Sequence, residues 1–193
     1  MATQARGAKS GRPRKPQRAS AKQPAIAEPQ NAPAPAADDA MLSAKAAAAA
    51  EPPKDRDPAQ LVEAFRTKLN AVLAKLKDEG TPFKFDEGFR TVARQQWLFG
   101  SGRPKEKPYG RPGPVVTYKD GVKELSNHQG NGKAGSGRAA DCYPAKANGQ
   151  IIWPPPPGSD PRWKRYADLA REQGLEAGYY WPTLKDLPHI ELK

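Results

Sequence analysis

Among its 193 residues the chain has a single cysteine, Cys142, and only two histidines, His128 and His189. One cysteine excludes an internal disulfide and any cysteine-rich zinc knuckle. No run of about 18 apolar residues exists, which excludes a hydrophobic spanning helix of that kind. The N-terminus is basic but has no apolar h-region, and the alanine run at 46–50 is too short and too weakly hydrophobic to act as one. No Sec signal peptide is read. Acidic residues are absent from the first 22 positions, which hold Arg6, Lys9, Arg12, Arg14, Lys15, Arg18 and Lys22.

What is abundant is positive charge, proline and glycine. The net charge is +11 and the pI about 9.8, which draws a chain to polyanions: nucleic acid, anionic headgroups or acidic envelope polymers. The basic residues of the N-terminal stretch are not interleaved with aromatics. No helix-turn-helix or RNA-binding signature is present, so nucleic acid is not the expected partner. With 22 prolines, 17 glycines and 37% hydrophobic residues, part of the chain must stay outside any core. Residues 1–56, rich in Ala, Pro and Gln, fit that description and are expected to be a disordered tail. The tail reads either as a solvated linker or as a polybasic arm for an anionic envelope polymer or membrane surface.

A domain is expected over 57–193. Asp57-Pro58 pairs an N-cap with a first-turn proline, and Leu61, Phe65, Leu69, Val72 and Leu76 follow at helical spacing up to Gly80. This predicts a helix over 58–79. A second helix is predicted from Thr91 to Phe99, and a third from Pro161, behind Asp160, to about Gln173. Phe83–Phe85, Val115–Tyr118, Ala139–Tyr143 and His189–Leu192 read as short strands. The prolines and glycines of 103–114 read as loop, and so does the glycine-rich stretch 129–137. The fold class is α+β: a small antiparallel sheet flanked by about three helices, with the site on the sheet.

His128 and His189 each sit where a loop is expected to meet a strand. Two histidines and one carboxylate match the three protein ligands of a catalytic zinc, whose fourth position is left for water. On composition alone, two isolated histidines are more often surface or core residues than ligands. The local context is more specific. Ser126-Asn127-His128 precedes the glycine loop, Gly137-Arg138-Ala139-Ala140-Asp141 follows it, and Asp186-Leu187-Pro188-His189 closes the chain. Upstream stand Gly88-Phe89-Arg90-Thr91, Gln95 and Gly102-Arg103.

In this order the stretches resemble the zinc peptidase family of D-Ala-D-Ala carboxypeptidases and L-alanyl-D-glutamate endopeptidases, which includes many phage endolysins. The family pattern is Ser-x-His, Gly-x-Ala-x-Asp and then Asp/Glu-x-x-His, and the resemblance spans roughly 85–193. It implies that His128, Asp141 and His189 bind Zn2+. It implies Asp186 as the general base, and Arg90 as the contact to the substrate carbonyl or to the charge developing on it. The implied substrate is the peptidoglycan stem peptide. The C-terminal stretch and Gly-Phe-Arg look closer to the L-alanyl-D-glutamate endopeptidase branch, with D-Ala-D-Ala carboxypeptidase as the alternative. A non-catalytic zinc-containing wall-binding module is the reading of another class, and the presence of Asp186 speaks against it. A monomer is expected. With no signal peptide, the resemblance suggests a lysin held in the host cytoplasm before it reaches the wall or periplasm, or one carried in a virion.

One departure stands out. The family usually places six residues between the first His and the Asp, whereas Gln129–Ala140 puts twelve there. Loop closure costs only about 0.6 kcal/mol per doubling of length, so a longer loop is expected to be tolerated. Cys142 follows Asp141 and is expected to face the opposite side of its strand, into the core. Glu191 shares the strand face of His189, as a supporting partner, a rival base or a solvated acid. Tyr180 and Trp181 are candidates for the substrate groove or for the core. Lys133 and Arg138 are candidates for meeting the acidic stem peptide, or for solvated charge. Ser126 is expected to support the His128 loop.

Overall fold

The computed structural model describes residues 50–193, so all of the tail expected at 1–56 except 50–56 lies outside the described residues. Four strands form one antiparallel sheet in the order β1-β2-β4-β3: β1 Phe83–Glu87, β2 Ala139–Pro144, β3 Glu176–Ala177 and β4 His189–Glu191. Three helices accompany it: α1 Glu63–Asp78, α2 Val92–Phe99 and α3 Pro161–Glu172. This is the α+β class expected.

The sheet has two chemically different faces. Alternation along β2 sends Ala140 and Cys142 to one face and Asp141 to the other. Ala140 and Cys142 join Phe83, Leu175 and Ile190 in the core. Against them α1 buries Phe65, Leu69, Val72 and Leu76, and α3 buries Trp163, Tyr166 and Leu169. Phe83 stacks on Tyr166 at 4.7 Å and meets the edge of Trp163 at 5.5 Å. Burial pushes the Cys142 thiol up to about 12, which makes it an inert core group, as its position after Asp141 predicts.

The expected helix over 58–79 is broken. Asp57 caps a single 3-10 turn at Pro58–Gln60, and the α-helix starts only at Glu63. The cause is tertiary. Leu61 bridges to Gly137, Gly137 N–H donates to Gln60 C=O, and Val62 N–H donates to Gly137 C=O. Val62 takes ψ 141 to make that pairing, and this conformation interrupts the helix. The strand expected at Val115–Tyr118 also does not form. That segment is held by a side chain instead, with Gln95 Nε2 donating to Thr117 Oγ1 at 3.3 Å and to Lys119 C=O at 2.9 Å. The two-residue β3 was not foreseen, being too short to show a periodicity. Asp160 caps α3 as read, and Thr91, read as the first residue of its helix, is instead the cap of α2.

The chain just before residue 57 straps across the end of β1. Lys54 and Arg56 both bind the Asp86 carboxylate, Arg56 through Nε at 3.0 Å and Nη2 at 2.9 Å. Gly88 N–H donates to Asp55 C=O at 2.9 Å, and Arg94 reaches Glu51 at 2.6 Å. Among the described residues, these contacts begin at Glu51. Asp86 is 5% exposed. A chain starting at residue 57 leaves that buried carboxylate without its cations. It should be less stable than one starting at residue 50 by about 1–3 kcal/mol, the usual penalty for an unsatisfied buried group. Urea unfolding of the two chains measures the difference, and equal midpoints would show that the strap contributes nothing.

Candidate metal centre

Three segments far apart in sequence deliver one group each. His128 lies in a tight turn closed by Gln129 N–H to Ser126 C=O at 2.9 Å and Gly130 N–H to Asn127 C=O at 3.2 Å. Ser126 Oγ donates to Gln95 Oε1 at 3.1 Å and Gln129 Nε2 donates to Gly121 C=O at 2.9 Å, so the turn is pinned on both sides. Asp141 lies on β2 and His189 on β4, directly paired across the ladder. All three side chains are buried, and their ligand atoms lie within 4.8 Å of one another.

The separations are informative. His128 Nε2 is 3.2 Å from His189 Nδ1. Asp141 Oδ1 is 3.3 Å from His189 Nδ1 and 3.5 Å from His128 Nε2. Tetrahedral ligands at bonds of about 2.0–2.1 Å lie about 3.3 Å from one another, so one small cation fits between these atoms. Asp141 Oδ1 is also a buried atom with no hydrogen-bond partner. Such an atom is costly unless something positive meets it. The donor set of two imidazoles and a carboxylate suits zinc and accepts other divalent ions.

The outer atoms of the same groups are held. His128 Nδ1 lies 2.6 Å from the Gly88 carbonyl, and His189 Nε2 lies 2.9 Å from Glu191 Oε2. Asp141 Oδ2 accepts from Arg90 Nη2. Arg90 also pairs with Glu87 at 3.1 Å, and Glu87 accepts from Arg94 Nε at 2.7 Å. A bulge at Phe85/Glu87 sets Glu87 opposite Asp141. Bulges of this kind re-aim side chains beside sites.

Burial, then the Arg90 charge, holds His128 below its ordinary pKa. Burial alone would lower His189 too, but the nearby Asp141 carboxylate and the hydrogen bond to Glu191 outweigh it and push it up to about 9. Asp141 stays well below the usual carboxylate range. Burial opposes this, and the neighbouring His128 and Arg90 charges override it. The Asp141 carboxylate thus favours positive charge between the imidazoles, and Glu191 favours it from behind His189. Asp186 is pushed up to about 6, first by burial and then by the Asp141 charge.

The centre opens into a cleft of about 490 Å³ lined by Arg90, His128, Asp186 and His189 and by the apolar Val116 and Trp181. The Trp181 ring lies 4.9 Å from the His189 ring. Tyr180 is turned away: its hydroxyl donates to Asp168 and its ring carries Arg171. Arg138 bonds Asn127 Oδ1 at 2.9 Å, and Lys133 is exposed in the loop. The lengthened loop folds on itself, with Ser136 Oγ donating to Gln129 C=O and accepting from Asn131 N–H, each at 3.1 Å. Gly130, at φ 56, passes so close to Ser136 that a Cβ would sit 1.8 Å from its carbonyl oxygen. The loop thereby returns the chain to Gly137 without separating His128 from Asp141.

Sequence reasoning missed Glu87, the Gly88 carbonyl and Asn127. A carboxylate immediately before Gly88-Phe89-Arg90 was the available signal for Glu87. A backbone carbonyl leaves none.

No protein-family model matches the chain. Over 139 residues it is 28% identical to the peptidoglycan L-alanyl-D-glutamate endopeptidase CwlK of Bacillus subtilis (strain 168), covering 70% of this chain and 75% of that protein. The crystal structure of the Serratia marcescens L-Ala D-Glu endopeptidase ChiX is 26% identical, with 72% of this chain and 91% of that chain covered, at a TM-score of 0.40. The chain resembles the peptidoglycan L-alanyl-D-glutamate endopeptidases, one of the two branches of the family that its motifs resemble.

Proposed function

We propose that this chain is a zinc-dependent hydrolase that cuts the L-alanyl–D-glutamate bond of the peptidoglycan stem peptide. The observation that carries the reading is the ring of three ligand atoms, 3.2–3.5 Å apart, at the edge of an open cleft. The similarity to CwlK supplies the bond and the polymer.

His128, Asp141 and His189 would hold the ion. A divalent ion in such a place acts as a Lewis acid on the scissile carbonyl and makes water a nucleophile near neutral pH. The chain's own groups do the rest. Asp186 lines the same cleft, and burial keeps its proton affinity near that of a neutral-pH base. It takes the proton of the attacking water and passes one to the leaving amine. Arg90 lines the cleft while clamped by Glu87 and Asp141, so its guanidinium is preset to face the charge that develops on the carbonyl oxygen. Val116 and Trp181 give the peptide apolar walls. In this reading 57–193 is the peptidase domain, strapped by Glu51–Arg56.

The purified protein should carry about one zinc per chain, lose wall lysis on chelation and regain it when zinc is returned. Protein that lyses wall equally well after complete metal removal would exclude this mechanism. Asp186→Ala should keep its metal and lose about 10²- to 10⁴-fold in kcat, the usual contribution of a positioned base. Unchanged turnover removes Asp186 from the chemistry. Digested wall should show new amino termini on D-glutamate, by labelling and mass spectrometry. Release of free D-alanine instead would transfer the reading to a carboxypeptidase.

A further inference from the structure

The two imidazoles face the proposed ion through different nitrogens. His128 presents Nε2 and His189 presents Nδ1. A neutral imidazole has one N–H and one lone pair, and which nitrogen keeps the proton is set by the partner of the other. The Gly88 carbonyl can only accept, so it keeps the proton of His128 on Nδ1 and leaves Nε2 free. For His189 the corresponding acceptor is the Glu191 carboxylate, 2.9 Å from Nε2.

We propose that Glu191 is the positioning residue of the metal centre, holding His189 in the tautomer and ring orientation that turn the Nδ1 lone pair toward the ion. The inference rests on the metal-dependent reading above. Glu191 stands two residues after His189 on β4, hence on the same face of the sheet, and lies beyond the far nitrogen of the ring. It is therefore placed to orient a ligand and not to be one.

Glu191 is itself held. Burial opposes its ionisation, but His189 and then Asn127 hold the Glu191 carboxyl below its ordinary range. Asn127 is in turn fixed by Arg138, whose Nη2 donates to Asn127 Oδ1 at 2.9 Å. Carboxylate–imidazole–metal arrangements fix the ring and raise the basicity of the coordinating nitrogen.

The experiment uses the full chain as wild type, Glu191→Ala and Glu191→Gln. Zinc affinity is measured by competition with a chromophoric chelator, and the cobalt(II)-substituted proteins are compared by visible absorption. Glu191→Ala should bind zinc about 10- to 100-fold more weakly, the usual effect of losing such a partner. Its cobalt spectrum should shift. Glu191→Gln, which can still accept from Nε2–H, should fall between the two. Both variants matching the wild type in affinity and spectrum overturns the inference and leaves the proposed function standing. Should Glu191→Ala fail to fold, Glu191→Gln decides alone: weakened affinity supports the inference, and wild-type affinity overturns it. A wild type that binds no zinc overturns both readings together.

Discussion

Two imidazole nitrogens and a carboxylate oxygen meet within 3.2–3.5 Å in a place that water hardly reaches. Electron-rich atoms do not stay so close in a buried setting unless positive charge is shared among them. The fold supplies the confinement. The ladder pairs Asp141 with His189, and the other face of the same two strands is anchored by Ala140, Cys142 and Ile190 in the core. The helices thus do their work at a distance. By burying their apolar stripes against one face, they fix the register that brings the charged groups together on the other.

Outside that ring runs a layer of ion pairs that differs for each ligand. The carboxylate is backed by Arg90, Arg90 by Glu87, and Glu87 by Arg94, which also reaches Glu51. The bulge that sets Glu87 opposite Asp141 leaves Asp86 to be neutralised by Lys54 and Arg56. Opposite charges alternate along this path, so each buried ion meets a partner. The segment ahead of the first helix thereby belongs to the electrostatics of the centre, although none of its residues approaches the cleft.

Much of this was legible in the sequence. Leu61, Phe65, Leu69, Val72 and Leu76 mark a helical stripe, and all five are buried. The capped start at Asp160 was readable because a cap is a local interaction between near neighbours. His128, Asp141 and His189 could be singled out because the chain has so few histidines and each lies in a distinctive motif. What stayed hidden depends on distant partners. The break at Leu61–Val62 comes from Gly137, some 75 positions downstream by sequence number. Val115–Tyr118 has the composition of a strand but no neighbouring strand to pair with among the described residues. The strap at Glu51–Arg56 looks like solvated linker until Asp86 is seen beneath it.

The bridge of Leu61 and Val62 to Gly137 has an evolutionary corollary. Gly137 acts as a datum for everything downstream, so length changes before it are absorbed by a self-contained loop, as the extra residues between His128 and Gly137 show. Beyond it the tolerance ends. Removal of Ala140 alone would exchange the two faces of β2, turning a carboxylate into the apolar interior and presenting the Cys142 thiol to the imidazoles. Natural variation in such proteins should therefore be generous on one side of this glycine and nearly frozen on the other.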